Sequence, residues 1–234
     1  MTKSSAKLVE KKQIANFVWE FKFELVEPHK LYFEAGQYVA IIVDPKTRRQ
    51  YSIASSPLSS ENEFILCVDI KPNGLGVNHL LSLNIDDEIS FIGPIGNFVM
   101  PKMLSTNLFF IATGTGIAPL RSMIETLIIK GLCKKHNIHL HFGTRNINDL
   151  FYTDLFDSYL RDGSIKEYTK YLSKESLPET ISGYVTQFIP NLSSEIIPDS
   201  QYFICGGTEM VKSAEAMLLE KGVLSTNIFH EKFH

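Results

Sequence analysis

Three short stretches of the chain carry residue types and spacings suited to holding a nucleotide. The first is Arg49-Gln50-Tyr51-Ser52. Arginine offers a forked donor for phosphate, tyrosine a flat ring for stacking on an aromatic cofactor, and serine a small hydroxyl. On an extended chain Arg49 and Tyr51 point to one face and Gln50 and Ser52 to the other, so the backbone must bend or twist for Arg49, Tyr51 and Ser52 to meet one ligand. The second begins at Thr113 and runs Gly114-Thr115-Gly116-Ile117-Ala118-Pro119. Two glycines in a tight turn let the backbone approach a ligand, and a helix that follows presents free N–H groups and its positive dipole end. A dinucleotide pyrophosphate is the usual occupant. Pro119 stands where a G-x-G-x-x-G pattern has its third glycine, a place where a first-turn N–H would have no intrahelical partner. The third stretch, Cys205-Gly206-Gly207, closes an apolar strand. Each has a plainer reading when taken singly: a surface arginine beside a core tyrosine, an ordinary glycine turn, a small buried hydrophobe.

The elements that must position these residues differ between the two halves. From about Leu8 to Phe98 the pattern is short and strand-like, in FVWEFKFEL, YVAIIVD, EFILCVDI and EISFIG, broken by turn residues. A turn at Lys46-Thr47-Arg48 opens a strand at Arg49, and one helix starts near Gly74 and runs through VNHLLSL. After Pro101 the rhythm becomes strand–helix alternation. LFFIAT reads as a strand buried on both faces and APLRSMIETLIIKG as the helix after it. IHLHFGT, IKEYTKYLS, QYFICGG and NIFHEKF follow as strands, NDLFYTDLFDSYLRDG and TEMVKSAEAMLLEKG as helices, and GYVTQFI as a helix or turn. The expected fold is an antiparallel β-barrel over residues 1–103, then a doubly wound parallel-sheet α/β domain over 104–234, with the boundary near Pro101–Thr106.

Composition narrows the function classes. The chain has 234 residues, 44% of them hydrophobic, and a net charge of −3, which gives no global attraction to nucleic acid or to an anionic membrane. No apolar run approaches a membrane span or a signal peptide. Cys67, Cys133 and Cys205 lie too far apart in sequence for a zinc pair or an iron–sulfur set, and suit a reducing cytoplasm. His139 and His141 alternate on one strand without further ligands, so no metal site is expected.

Taken in order, R-x-Y-S at Arg49–Ser52, a glycine turn at Gly74–Asn78, G-P-x-G-x-F at Gly93–Phe98, G-T-G-I-A-P at Gly114–Pro119 and C-G-G at Cys205–Gly207 resemble the ferredoxin–NADP⁺ reductase superfamily, from about Gly36 to Phe233. The resemblance implies an NAD(P)H-dependent flavin oxidoreductase with FAD, rather than FMN, and NADPH or NADH as hydride donor. Arg49 would then hold the flavin phosphate, Tyr51 would pack on the isoalloxazine with Gln50 beside it, and Ser52 would hydrogen-bond near N5. Val68 and Ile70 would run along the flavin. Gly74, Gly76, Val77 and Asn78 would form a second phosphate site, with Val77 where many members carry serine. Thr113, Gly114, Thr115, Gly116 and Pro119 would cradle the nicotinamide dinucleotide, and Arg145 would meet its adenosine ribose. Cys205, Gly206 and Gly207 would lie by the nicotinamide. Glu231 and Phe233 match the family's terminal acid–x–aromatic pattern, with His234 one residue beyond; Ser52, Cys205 and Glu231 would align the rings, and Phe233 would cover the flavin or simply close the core. Electrons would pass to a separate acceptor: a ferredoxin, a flavodoxin or an oxygenase component. A free-flavin reductase and a non-catalytic relay subunit are the alternatives.

Overall fold

The computed structural model describes residues 3–233, so His234 lies outside the described residues. The first half forms strands β1 (Lys3–Ala15), β2 (Val18–Glu27), β3 (Tyr38–Asp44), β4 (Thr47–Ser52), β5 (Glu63–Asp69) and β6 (Glu88–Ile95), with helix α1 (Leu75–Ser82) between the last two. The sheet runs β4-β3-β6-β1-β2-β5 with antiparallel pairing throughout. It closes on itself where Ile53, just beyond β4, bridges Leu66 of β5, which makes the expected barrel. Inward residues alternate along β2, and in the interior Phe64 stacks on Phe23 at 5.5 Å and meets Phe91 edge-on at 5.3 Å.

Three boundaries differ clearly from the sequence reading: the helix expected from Asn148 starts only at Thr153, behind Tyr152 at φ +59°, and two strands start earlier than expected. Strand β1 begins at Lys3, because Ser4, Ala6 and Leu8 all point inward and small side chains carry little hydrophobic signal. Strand β4 begins at Thr47 rather than Arg49, because the Asp44 side chain accepts the Lys46 N–H at 2.8 Å and tightens the turn ahead of Thr47.

The second half carries β7 (Asn107–Thr113), α2 (Ile117–Ile129), β8 (Asn137–Thr144), α3 (Thr153–Arg161), β9 (Glu167–Leu172), the two-residue β10 (Ile181–Ser182), β11 (Ser200–Gly207), α4 (Thr208–Glu220) and β12 (Ile228–Phe233). A short helical turn spans Val185–Asn191. The sheet order is β10-β9-β8-β7-β11-β12, all parallel. The chain therefore leaves β7 in one direction as far as β10 and returns to the other side of β7 with β11. That reversal opens a crevice at the carboxyl ends of β7 and β11, where ligands bind in folds of this kind. Phe203 at the centre lies between Phe110 and Phe229, 5.0 Å from each ring.

Helix α2 joins the halves. Its Ser122 hydroxyl donates to the Ser55 carbonyl at 2.7 Å, and Thr126 shares a 2.8 Å bond with Ser56. Val18, Ala35, Ala54, Cys67 and Phe98 of the barrel belong to the same apolar cluster as the α/β core. Among the described residues no helix is long and apolar enough to cross a membrane.

His139 and His141 of β8 are held by their neighbours: Nδ1 of His139 lies 3.0 Å from Glu167, and Nδ1 of His141 lies 3.1 Å from the Tyr171 hydroxyl. His141 stacks on Phe188 at 3.7 Å, and burial pushes its pKa down to about 4. The unfolded imidazole titrates near its ordinary value of about 6.5, so the unfolded state binds this proton more readily. The contribution of His141 to stability is thus complete above pH 6.5 and is lost as the pH falls from there to about 4. His141→Phe, which keeps the stack, is expected to flatten the fall in urea midpoint between pH 7 and pH 5. An unchanged slope would assign that acid sensitivity elsewhere.

Candidate active site

A cleft of about 1190 Å³ lies between the barrel wall and the carboxyl edge of the parallel sheet. It is lined from the barrel by Arg49, Gln50, Tyr51, Ser52 and Val68, and from the second half by Thr113, Gly114, Thr115, Arg145, Gly207, Glu231 and Phe233. Strand β4 is terminal in its sheet, and after Ser52 it turns across to the Ile53–Leu66 bridge. That bend supplies the change of face that Arg49, Tyr51 and Ser52 require.

Behind Arg49 and Tyr51 sits the start of α1. Gly74 is its N-cap in extended conformation, with no side-chain cap and no acid in the first turn, so the first N–H groups are open to an anion. A Cβ on Gly76 would come within 2.5 Å of both Arg49 Cγ and the Tyr51 hydroxyl, which is why the helix start can lie flush against them. Val77 is buried in the barrel core, Ile70 packs at its margin, and Asn78 closes the first turn through its N–H to the Gly74 carbonyl at 3.0 Å. Burial, opposed by the Arg49 charge, pushes the Tyr51 phenol up to about 12, so the ring is neutral.

The turn from β7 into α2 forms the second open helix start. Gly114 takes φ +54° with open space around it, and α2 has neither a side-chain cap nor a first-turn acid. A Cβ on Gly116 would overlap the Cys205 carbonyl, and one on Gly206, at φ +153°, would overlap the Thr113 hydroxyl. These glycines therefore let the β7–α2 turn pack on β11, while the Gly207 N–H donates to Thr113 Oγ1 at 3.3 Å. Pro119 is buried in the first turn of α2.

Cys205 is fully buried and does not line the cleft. It pairs in register with Ala112 and Glu231, and burial first, with the Glu231 charge second, raises its thiol well above the ordinary range. Glu231 does face the cleft and accepts a hydrogen bond from Ser52 Oγ at 3.3 Å. Burial raises its pKa while that hydrogen bond opposes the shift, so the carboxyl favours a proton more than an exposed glutamate does. Phe233 is half-buried: it packs on the α/β core and lines the cleft.

Arg145 is exposed at the end of β8, with Ser173 on the same wall. The acids nearby are engaged by other donors: Asp149 accepts from Asn146 at 3.0 Å, and Glu175 accepts the Ile147 N–H at 2.8 Å. Sequence reasoning missed Phe17, Tyr38, Phe151, Ser173 and Tyr184, which reach the cleft from turns and neighbouring strands. Only Phe17 left a signal, as an aromatic in the tight turn between β1 and β2; it is 45% exposed, with Lys71 Nζ 4.8 Å over its ring.

Residues 5–100 match the family described as the oxidoreductase FAD-binding domain, and residues 110–216 match the oxidoreductase NAD-binding domain. The chain is 30% identical to ferredoxin–NADP reductase B of Sorangium cellulosum, over 97% of this chain and 96% of that protein. It is 28% identical to the toluate 1,2-dioxygenase electron transfer component of Pseudomonas putida, over 88% of this chain but only 60% of that protein. A ferredoxin NADP⁺ reductase from Neisseria gonorrhoeae, solved with bound FAD and NADP, shares the fold with a TM-score of 0.85 at 20% identity, covering 99% of each chain.

Gly76→Ala places a methyl against Arg49 and Tyr51, and FAD is expected to bind about tenfold more weakly, the loss of roughly one good hydrogen bond's worth of contact. Fluorescence titration of the apoprotein with FAD measures this, and an unchanged Kd would remove the α1 start from the flavin site.

Proposed function

Because this chain belongs to the ferredoxin reductase-type family of FAD- and NAD(P)-binding oxidoreductases, we propose that it takes a hydride from NADPH onto bound FAD and passes the electrons to a separate carrier protein. The observation that carries this reading is the meeting of Ser52 from the barrel and Glu231 from β12, 3.3 Å apart in one cleft that the Gly114–Thr115 turn ahead of uncapped α2 also lines. FAD would supply a ring that accepts one hydride, carrying an electron pair, from nicotinamide and releases those two electrons one at a time.

The residues present suit that group. Arg49 and the α1 N–H groups match a phosphate, Tyr51 offers a flat neutral ring, and Gln50 and Val68 complete the wall. The turn Gly114–Gly116 and the start of α2 suit the second dinucleotide, with Gly206 and Gly207 leaving room for its nicotinamide end. Ser52 Oγ and the Glu231 carboxyl form a proton-holding pair where the two half-sites meet. Phe233 excludes water from that meeting point, and Cys205 is a neutral packing group behind Glu231. No protein nucleophile is required, since rate comes from positioning two rings in a water-poor cleft. NADPH is favoured over NADH because Arg145 and Ser173 offer donors to a 2′-phosphate while the local carboxylates are occupied elsewhere.

The names of the relatives support a ferredoxin or an oxygenase component as acceptor, with flavodoxin in the same class. The three cysteines are free thiols, which suits the cytoplasm. The buried Val77 side chain leaves the α1 start without a hydroxyl and favours, as a second reading, a reductase that uses free flavin as substrate. Gel filtration followed by anaerobic addition of NADPH separates the cases. Retained flavin absorbance that bleaches supports the proposal, colourless protein that still oxidises NADPH with added flavin supports the second reading, and bound flavin that never bleaches indicates a relay subunit.

Ser52→Ala is expected to keep its FAD yet slow anaerobic reduction about tenfold or more through lost alignment; wild-type reduction kinetics would remove Ser52 from the reaction. Arg145→Ala is expected to raise the KM for NADPH about 10- to 100-fold, the size of a charged hydrogen bond, with that for NADH little changed. Equal effects on both nucleotides would argue against a 2′-phosphate contact.

A further inference from the structure

A buried polar cluster joins the two domains away from the cleft. Arg121, in the second turn of α2, donates from Nη1 to Glu20 Oε2 at 2.9 Å and from Nε to Glu125 Oε1 at 2.8 Å. Its guanidinium lies 4.3 Å over the ring of Tyr152, whose hydroxyl donates to the same Glu20 oxygen at 2.7 Å. Lys12 completes the set, 3.0 Å from the other Glu20 oxygen. Side-chain exposure is 12% for Arg121, 8% for Glu20 and 11% for Glu125, so the charges are largely withdrawn from water and depend on each other.

Each arm of this cluster is one step from the cleft. Glu20 of β2 stands opposite Cys67 of β5, which lines the cleft from the barrel side. Arg121 lies four residues beyond the first residue of α2, about 6 Å along the axis of the helix whose start forms the Gly114–Gly116 turn. Tyr152 sits at φ +59°, a left-handed conformation unusual for tyrosine, and its neighbour Phe151 is buried, lines the cleft and packs edge-on against Phe142 at 5.4 Å. Arg121 itself does not line the cleft.

We infer that Arg121, clamped between Glu20 and Glu125 over Tyr152, is a positioning residue that sets the distance between the flavin half-site on the barrel and the nicotinamide half-site at the start of α2. This inference rests on the reductase reading above. None of Glu20, Arg121, Glu125 and Tyr152 lines the cleft. Its effect belongs to the step in which the two rings must approach, where a displacement of about 1 Å costs on the order of 100-fold in rate. Burial opposes ionisation of Glu20, but the Tyr152 and Lys12 hydrogen bonds and the Arg121 charge outweigh it and hold its carboxyl below the ordinary range, so the clamp is charged at neutral pH.

The test uses the full chain loaded with FAD and compares the wild type with Arg121→Met, Arg121→Lys and Tyr152→Phe. Three quantities are read: FAD content, NADP⁺ affinity from the flavin difference spectrum, and the anaerobic rate of reduction by NADPH. Arg121→Met is expected to slow reduction about 10- to 100-fold while both nucleotides bind within about twofold of wild type, and Arg121→Lys, which keeps one ion pair, to recover part of the rate. Tyr152→Phe removes only the hydroxyl donated to Glu20, keeps the ring, and is expected to slow reduction by a smaller factor. Folded Arg121→Met with wild-type reduction, or with binding lost in parallel with rate, overturns the inference. If Arg121→Met does not fold, Tyr152→Phe decides, and a wild-type rate in it overturns the inference. A wild type that neither nucleotide reduces refutes the reductase reading itself and takes this inference down with it.

Discussion

The seating of helix α2 on the barrel is the contact on which the rest of the molecule depends. One end of this helix forms the Gly114–Gly116 turn, and one of its faces carries Arg121, Ser122, Glu125 and Thr126. Of these, Arg121, Ser122 and Thr126 bond directly to Glu20, Ser55 and Ser56 of the barrel. A reaction between two bound rings held by two separate domains has no tolerance for a loose joint, since ring-to-ring distance enters the rate directly. Apolar contact alone would resist separation but would slide; directed hydrogen bonds with buried partners fix the register, because leaving any one of them unpaired costs a desolvation penalty.

Around that joint the two sheets solve different problems. The barrel must close, and its closure across Ile53–Leu66 bends β4 so that Ser52 turns into the cleft beside Arg49 and Tyr51. The parallel sheet must open, and its reversal at β7 and β11 leaves a crevice beneath which only glycine lets the β7–α2 turn pack on β11, as the Gly116–Cys205 and Gly206–Thr113 approaches show. The cleft is the product of one sheet that closes and another that parts.

Charge is distributed accordingly. At the joint the buried groups are ionised and paired, whereas burial holds Tyr51 on the cleft and Cys205 beneath it neutral and raises the Glu231 carboxyl above its ordinary range. A partly dry floor strengthens whatever electrostatic contacts a bound ring makes, and Glu231 releases its proton less readily there than an exposed glutamate would.

The antiparallel first half, the parallel α/β second half and the main elements of each were legible in the sequence, because strand and helix periodicity and the glycine turns are local signals. The residue types of Arg49–Ser52 and Gly114–Thr115, which suit phosphate and ring contacts, singled out two stretches that the structure places on one cleft. The charged, small-residue strand β1 was underestimated, since Ser4 and Ala6 bury little surface for hydrophobic pattern to reveal. Tyr38, Phe151 and Ser173 could not be read, as no local pattern marks a residue that reaches the cleft from a neighbouring strand or loop. Nor could the partnership of Arg121 with Glu20, 101 positions apart, or of Ser52 with Glu231, 179 apart. Sequence by itself determined which residues can hold a nucleotide, because that capacity lies in side-chain chemistry and short backbone turns. Only the tertiary structure decided which of them meet, and that Cys205 is buried beneath the cleft rather than lining it, because proximity and burial follow from how two sheets dock and not from any spacing along the chain.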